Sequence, residues 1–334
     1  MDLIDITPSA KAWRAYAGIL KKESRLYKLR EIGKDLYSCA SLENANKLLS
    51  DAQKLIALNV NTNATDIKTG LMNFFIDLDK PVNYYKTGIH QLDNKLNISA
   101  GDFIIIGGYP SAGKTAFALQ IAGNMSFDRK VCIFSLETST KKIYERIITQ
   151  RTLSNYSNIK NKKLSEDELM QITKQKDKLN KMQISVVDAA GMSVQDITAQ
   201  ALANRYDVIF VDYLQLIRPD ISQNRHEQVA QISRDLHTFA QKHKITVIAL
   251  SQLSRPEKQE RVQKAPTMSS LRESGQLEQD ADAILLLYLA EPDNPFSDRI
   301  AKLVKNKDGA LCYMRLDFDG LRQLFIEYME DIKK

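Results

Sequence analysis

Eight consecutive residues, Gly108-Tyr109-Pro110-Ser111-Ala112-Gly113-Lys114-Thr115, fit the pattern G-x-x-x-x-G-K-T. They follow the apolar run Phe103-Ile104-Ile105-Ile106 and precede Ala116-Phe117-Ala118-Leu119-Gln120-Ile121-Ala122. A buried strand, a glycine-bearing loop and a helix start therefore stand in the order a phosphate-binding loop needs. The backbone N–H groups of such a loop, with the positive end of the helix dipole, cradle nucleotide phosphates. Lys114 is expected to reach the β- and γ-phosphates and the Thr115 hydroxyl to ligate Mg²⁺. The chain is thus expected to bind a nucleoside triphosphate.

Three further groups stand at the ends of apolar runs. Asp207-Val208-Ile209-Phe210-Val211-Asp212 ends in a carboxylate. In an open α/β sheet the ligand lies beyond the carboxyl ends of the strands, which places Asp212 to hold Mg²⁺ directly or through water. Val131-Cys132-Ile133-Phe134-Ser135-Leu136-Glu137 ends in another. γ-Phosphate hydrolysis needs a group that orients and deprotonates water, and Glu137 has the reach. A Glu at a helix start fits its spacing equally well. Val247-Ile248-Ala249-Leu250-Ser251-Gln252 ends in an amide. Gln252 suits a γ-phosphate sensor or a cap.

The elements that must position these groups follow from periodicity. Short β-rich runs over 103–107, 131–135, 184–188, 207–212, 245–250 and 282–289 alternate with helical segments over 114–125, 139–152, 166–180, 193–204 and 224–243. Strands separated by helices predict a mostly parallel sheet covered on both faces. Alternation in Ala301-Lys302-Leu303-Val304-Lys305 and in 313–318, with Asp308-Gly309 between, predicts a closing antiparallel hairpin. Residues 10–58 read as helical, with apolar stripes and a break at 37–41. The polar stretch 61–66 reads as a loop. The expected division is a helical N-terminal and linker region over 1–85 and an α/β domain over 86–334.

The 334 residues are 43% apolar and 26% charged, ordinary for a globular protein. No run approaches the roughly 18 apolar residues of a membrane span, and residues 1–7 lack the pattern of a secretory signal. Cys39, Cys132 and Cys312 form neither a disulfide framework nor a zinc spacing, a cytosolic pattern, and Cys132 reads as a buried inert thiol. His90, His226, His237 and His243 form no ligand cluster. The net charge of +6 permits a nucleic-acid partner without demanding one. The lysines of 160–181 are interspersed with acidic residues and read as a solvated helix surface.

Together these residues resemble a family. Thr87-Gly88-Ile89, the phosphate loop, Ser135-Leu136-Glu137 and Asp212-Tyr213-Leu214-Gln215-Leu216 are followed by Leu250-Ser251-Gln252-Leu253-Ser254-Arg255 and by Leu271-Arg272-Glu273-Ser274-Gly275, which continues to Asp282. In this order they resemble the C-terminal motor domain of DnaB-type replicative helicases, which are RecA-like hexameric ring ATPases, over about residues 86–328. The resemblance implies a RecA-like α/β fold and a cytoplasmic, ATP- and Mg²⁺-dependent helicase translocating 5′→3′ on single-stranded DNA and unwinding forked duplex in replication. It makes Glu137 the catalytic base and Gln252 the γ-phosphate sensor. It places Arg272, Glu273 and Gly275 in a central-channel loop, where a guanidinium and an accessible backbone N–H grip phosphates without reading bases. From the residues alone, 271–282 reads as an acidic helix start. Many members carry Lys-Gln-Arg-Asn-Gly, with an Arg finger entering the neighbour's ATP site, where this chain has Lys305-Asn306-Lys307-Asp308-Gly309. Lys307 takes that place as a point charge, with Lys305 sharing the task.

Residues 8–58 resemble the family's last N-terminal helices and the linker that packs on the adjacent subunit. Against that resemblance the chain is expected to lack most of the family's N-terminal domain, as a naturally short phage or mobile-element form or as a truncated one, which puts primase contact in doubt and leaves a helicase loader possible. Two readings compete with a helicase ring. One is a RecA/RadA-like recombination filament, since a head-to-tail interface builds filaments and rings alike. The other is a regulatory ATPase that resembles a helicase without unwinding.

Overall fold

Nine strands form one sheet around the apolar run ahead of the phosphate loop. In chain order the elements are α1 (Ala10–Tyr37), α2 (Ile67–Leu78), α3 (His90–Asp93), β1 (Phe103–Gly108), α4 (Lys114–Met125), β2 (Val131–Ser135), α5 (Thr140–Thr152), α6 (Tyr156–Asn161) and α7 (Glu166–Asn180). They continue with β3 (Ile184–Asp188), α8 (Val194–Asn204), β4 (Val208–Asp212), α9 (Arg225–His243), β5 (Thr246–Gln252), α10 (Gly275–Asp280), β6 (Ala283–Leu289), β7 (Arg299–Asn306), β8 (Cys312–Asp319) and β9 (Leu324–Glu327). This computed structural model describes residues 10–39, 41, 44, 45, 47–49, 51, 52, 65–78, 82–219, 224–253, 265–271 and 275–328.

The strand order is β3-β2-β4-β5-β1-β6-β7-β8-β9. From β3 to β6 the pairing is parallel, and from β6 to β9 antiparallel. The mostly parallel sheet and the β7–β8 hairpin are thus as the periodicity predicts. Every residue of β1 is buried, because helices cover both faces. Ile104 and Ile106 face a core with Phe117 and Ile121 of α4 and Ile143 of α5. Phe103 and Ile105 face the opposite core, with Ile197 of α8 and Val229 and Leu236 of α9. Each such side chain contributes roughly 1.5–3 kcal/mol on full burial. Local signals start the helices: Ser165 with Glu168 and Ser193 with Asp196 form reciprocal capping boxes at α7 and α8. The lysine-bearing α7 buries none of its residues.

Four elements had no sequence expectation, the four-residue α3 among them. α6 is six residues long and begins at an Asn155 cap. β9 is four residues long and is docked by side chains: Gln120 of α4 donates to Phe325 O and accepts from Phe325 N, while Glu327 accepts the N–H groups of His90 and Gln91. α2 buries none of its residues, although its apolar side chains gather on one arc of the helix.

The chain divides into two compact units, Met1–Val82 and Asn83–Lys334. In the first, Leu29, Ile32 and Leu36 of α1 are partly buried, and the predicted break near 37–41 coincides with the end of α1 at Tyr37. Much of the second predicted helical stretch, residues 53–58 in particular, lies outside the described residues, as do 61–64 of the predicted loop.

Candidate nucleotide site

β1 delivers the loop and α4 receives it. Gly113 caps α4 at φ 97°, a left-handed conformation suited to glycine. A Cβ there would also lie 2.8 Å from Phe325 Cζ. At Gly108 a Cβ would lie 2.7 Å from Leu287 O and 2.8 Å from Lys114 Cγ. Both glycines thus permit close approach. Ala112 is buried beneath the loop, and Lys114 Nζ folds back onto the carbonyls of Gly108 (2.7 Å) and Tyr109 (3.1 Å).

The sequence-predicted groups converge on one cleft of about 380 Å³, reached by Pro110, Ser111, Gly113, Lys114 and Thr115 of the loop. Glu137, Asp212 and Gln252 join it from three neighbouring strand ends. Parallel pairing explains the convergence: Ser135 is in register with Asp212, and Gly108 with Gln252. Glu137 precedes the Ser139 cap of α5, so it lies in the loop beyond β2 and not in the first turn of the helix. Gln252 is the exposed last residue of β5.

Thr115 Oγ1 donates to Asp212 Oδ2 at 2.8 Å. A hydroxyl and a carboxylate this close beside a phosphate loop are hard oxygen donors of the kind Mg²⁺ takes together with phosphate and water; the residues fit the ion. Asp212 is 5% exposed, and burial raises its pKa above the ordinary carboxylate value, with the Thr115 bond opposing and the Glu137 charge adding to the rise. Burial lowers the Lys114 pKa, while Asp212 and Glu137 hold it up. The site therefore stores unbalanced desolvation that a phosphate–metal pair would relieve.

Sequence reasoning missed Arg146 of α5, Tyr213, Phe318 and Gln323, which also line the cleft. Arg146 sits within the helix that follows Glu137, and a helical Arg carries no signal without its tertiary neighbours. Phe318 and Gln323 come from the C-terminal antiparallel segment. Cys132 is fully buried and its thiol is pushed up to about 12 by burial, an inert group as expected.

Lys305 and Lys307 are not in this cleft. Lys305 Nζ donates to the carbonyls of Glu278 (2.7 Å) and Gln279 (3.1 Å) of α10. Lys307 Nζ pairs with Asp282 at 3.0 Å, beside the N-terminal end of β1, where Asp282 also accepts from Phe103 N. Of the DNA-loop candidates, Gly275 opens α10, with Glu278 in its first turn. Arg272 and Glu273 lie outside the described residues.

Comparison with known proteins agrees with this geometry. Residues 85–327 match the family model of the DnaB-like helicase C-terminal domain. The chain is 34% identical over 310 residues to the replicative DNA helicase DnaC of Bacillus subtilis, covering 86% of this chain and 68% of that one. Across that relative and two further replicative helicases it spans 53% to 68% of the relative's length. Among solved structures it is similar to one described as an ATPase domain, with TM-score 0.73, 31% identity, and coverage of 80% of this chain and 100% of that one. It is also similar to a DnaB-like replicative helicase described with its interactions with primase, with TM-score 0.71, 28% identity, and coverage of 96% and 80%.

Proposed function

The chain belongs to the family of DnaB-like helicase C-terminal domains, and on that premise we propose that it is an ATP-hydrolysing replicative DNA helicase working as a ring on single-stranded DNA. Membership of this family favours the helicase over the recombination filament and the non-unwinding ATPase. The observation that carries the reading is the meeting of Lys114, Thr115, Glu137, Asp212 and Gln252 in one cleft at the strand ends.

In this reading the loop N–H groups and Lys114 hold the β- and γ-phosphates, and Thr115 and Asp212 hold Mg²⁺, which neutralises phosphate charge. Glu137 takes the proton of the attacking water. Gln252 donates to the γ-phosphate and relays its presence along β5. Lys307 and Lys305 lie away from their own cleft and act on the cleft of the next copy, Lys307 as a point charge at the γ-phosphate. Arg272, Glu273 and Gly275 grip the phosphates of single-stranded DNA. The apolar surface of α2, with Phe74 57% and Phe75 59% exposed in its own unit, supports packing between copies of the chain.

The test is unwinding of forked duplex with ATP and Mg²⁺. Unwinding is expected when the fork carries a 5′ single-stranded tail, and none is expected from Lys114→Ala. ATP hydrolysis without unwinding of any fork would overturn the helicase reading.

A further inference from the structure

Gln215 lies in the turn Leu214–Leu216, three residues beyond Asp212, and is buried. Its Nε2 donates to Ser251 Oγ at 2.9 Å and to Gln252 O at 3.4 Å. Its Oε1 accepts from Gln252 N at 3.2 Å. The side chain thus meets both polar groups of the Gln252 main chain.

Sheet register explains why a side chain is needed there. β4 pairs with β5 only as far as Val211 and Ala249, whereas β5 continues to Gln252. On its other edge Gln252 is in register with Gly108 of β1. Beyond Ala249 the β4 edge of β5 faces no strand, and the part-buried peptide groups there need partners. A glutamine amide carries the same donor and acceptor as a peptide, so Gln215 extends the sheet by one side chain. The Arg225 guanidinium donates to the Gln215 carbonyl and fastens the turn from α9.

We propose that Gln215 is a positioning residue for γ-phosphate sensing: it holds the Gln252 main chain so that the Gln252 side chain stays aimed into the nucleotide cleft. The proposal rests on the reading of Gln252 as the γ-phosphate sensor. Because Gln215 bonds the main chain of Gln252, its effect on turnover passes through the Gln252 side chain.

That dependence makes a double-mutant cycle decisive. The full chain is assayed for ATP hydrolysis with oligo-dT as Gln215→Met, Gln252→Ala and the double variant. Gln252→Ala is expected to lower kcat by about 10²-fold, the scale of one lost transition-state donor. Gln215→Met is expected to lower kcat about tenfold, with KM for ATP within about twofold, as displacement of such a donor would. In the Gln252→Ala background Gln215→Met is expected to change nothing further. Full multiplicative effects in the double variant, or wild-type kcat in Gln215→Met, would overturn the positioning role and leave the sensor reading intact. Wild-type kcat in Gln252→Ala would overturn the sensor reading and the proposal with it.

Gln215→Glu keeps the shape should the Met variant fail to fold. Its carboxylate faces the Gln252 carbonyl, and on protonation it donates again as the amide does. Its kcat relative to wild type is expected to recover as pH falls. A ratio independent of pH would overturn the proposal.

Discussion

Lys307 Nζ lies 3.0 Å from Asp282 Oδ1, and the same carboxylate accepts the N–H of Phe103, the first residue of the strand that leads to the phosphate loop. The proposed finger is thus docked within its own chain, at the end of the sheet away from its own cleft. The pairing raises the Lys307 pKa through its hydrogen bond and its charge interaction with Asp282, so the lysine is a full cation at neutral pH. Its removal is expected to abolish cooperative, DNA-stimulated hydrolysis in Lys307→Ala while isolated subunits keep their nucleotide affinity. Mixing with Lys114→Ala protein should restore some activity, because an intact loop and an intact lysine then meet at mixed interfaces. Absence of rescue with mixed assembly confirmed by native mass spectrometry would place Lys307 outside the reaction in trans.

Glu137→Gln is expected to retain ATP binding and lose about 10²–10⁴-fold in turnover, the scale of a lost general base. Lys114→Ala should lose binding itself. Calorimetric titration with ATP separates the two, and near-wild-type hydrolysis by Glu137→Gln would move the base to another residue.

Mg²⁺ dependence should follow the Asp212 proton. Burial raises this carboxyl above its unfolded value, so the folded apo protein holds the proton more tightly than the unfolded chain does. The contribution of Asp212 to apo stability is therefore fully present below its unfolded pKa and is lost as pH rises through the raised folded pKa. Metal binding needs the deprotonated form and has the opposite slope. The rise in Tm on adding Mg-ATP is expected to shrink as pH falls, beginning at a higher pH than an ordinary Asp would give. In Asp212→Asn that pH dependence should disappear. A Tm gain in wild type that stays constant down to about pH 4, near the ordinary Asp value, would refute the assignment.

Arg272→Ala should weaken single-stranded DNA binding about equally for all sequences and reduce the slope of log K against log salt by about 0.7, the value for one phosphate contact on a single strand. Basal hydrolysis should survive while DNA stimulation falls. Fluorescence anisotropy across a salt series checks this, and an unchanged slope counts against the contact.

Gly113→Ala is expected to destabilise the fold by about 1 kcal/mol or more and to weaken nucleotide binding, because alanine is strained at positive φ and its Cβ would lie 2.8 Å from the Phe325 ring. Thermal unfolding and ATP titration read both effects. Gly275→Ala serves as the contrast for stability, since a Cβ there meets nothing within 4 Å.

The sequence by itself determined the features whose cause is local. Four consecutive apolar residues before a glycine loop, with a helix pattern behind it, write β1 and α4 into adjacent positions, so the phosphate loop was legible without a fold. Strand-end carboxylates and amides at Asp212, Glu137 and Gln252 were legible as candidates, and parallel topology says where strand ends meet. Tertiary structure alone decided which of them touch. Thr115 and Asp212 are 97 residues apart in sequence, and only the crossovers that set β4 beside β5 and β5 beside β1 bring their oxygens within bonding distance. β9 escaped the periodicity because its place is set by the Gln120 amide and by the His90 and Gln91 N–H groups that it meets, not by a pattern within its four residues. Gln215 and Gln252 show the same limit. A glutamine in a turn carries no sign of its partner until a strand that stops short leaves a peptide edge for its amide to fill.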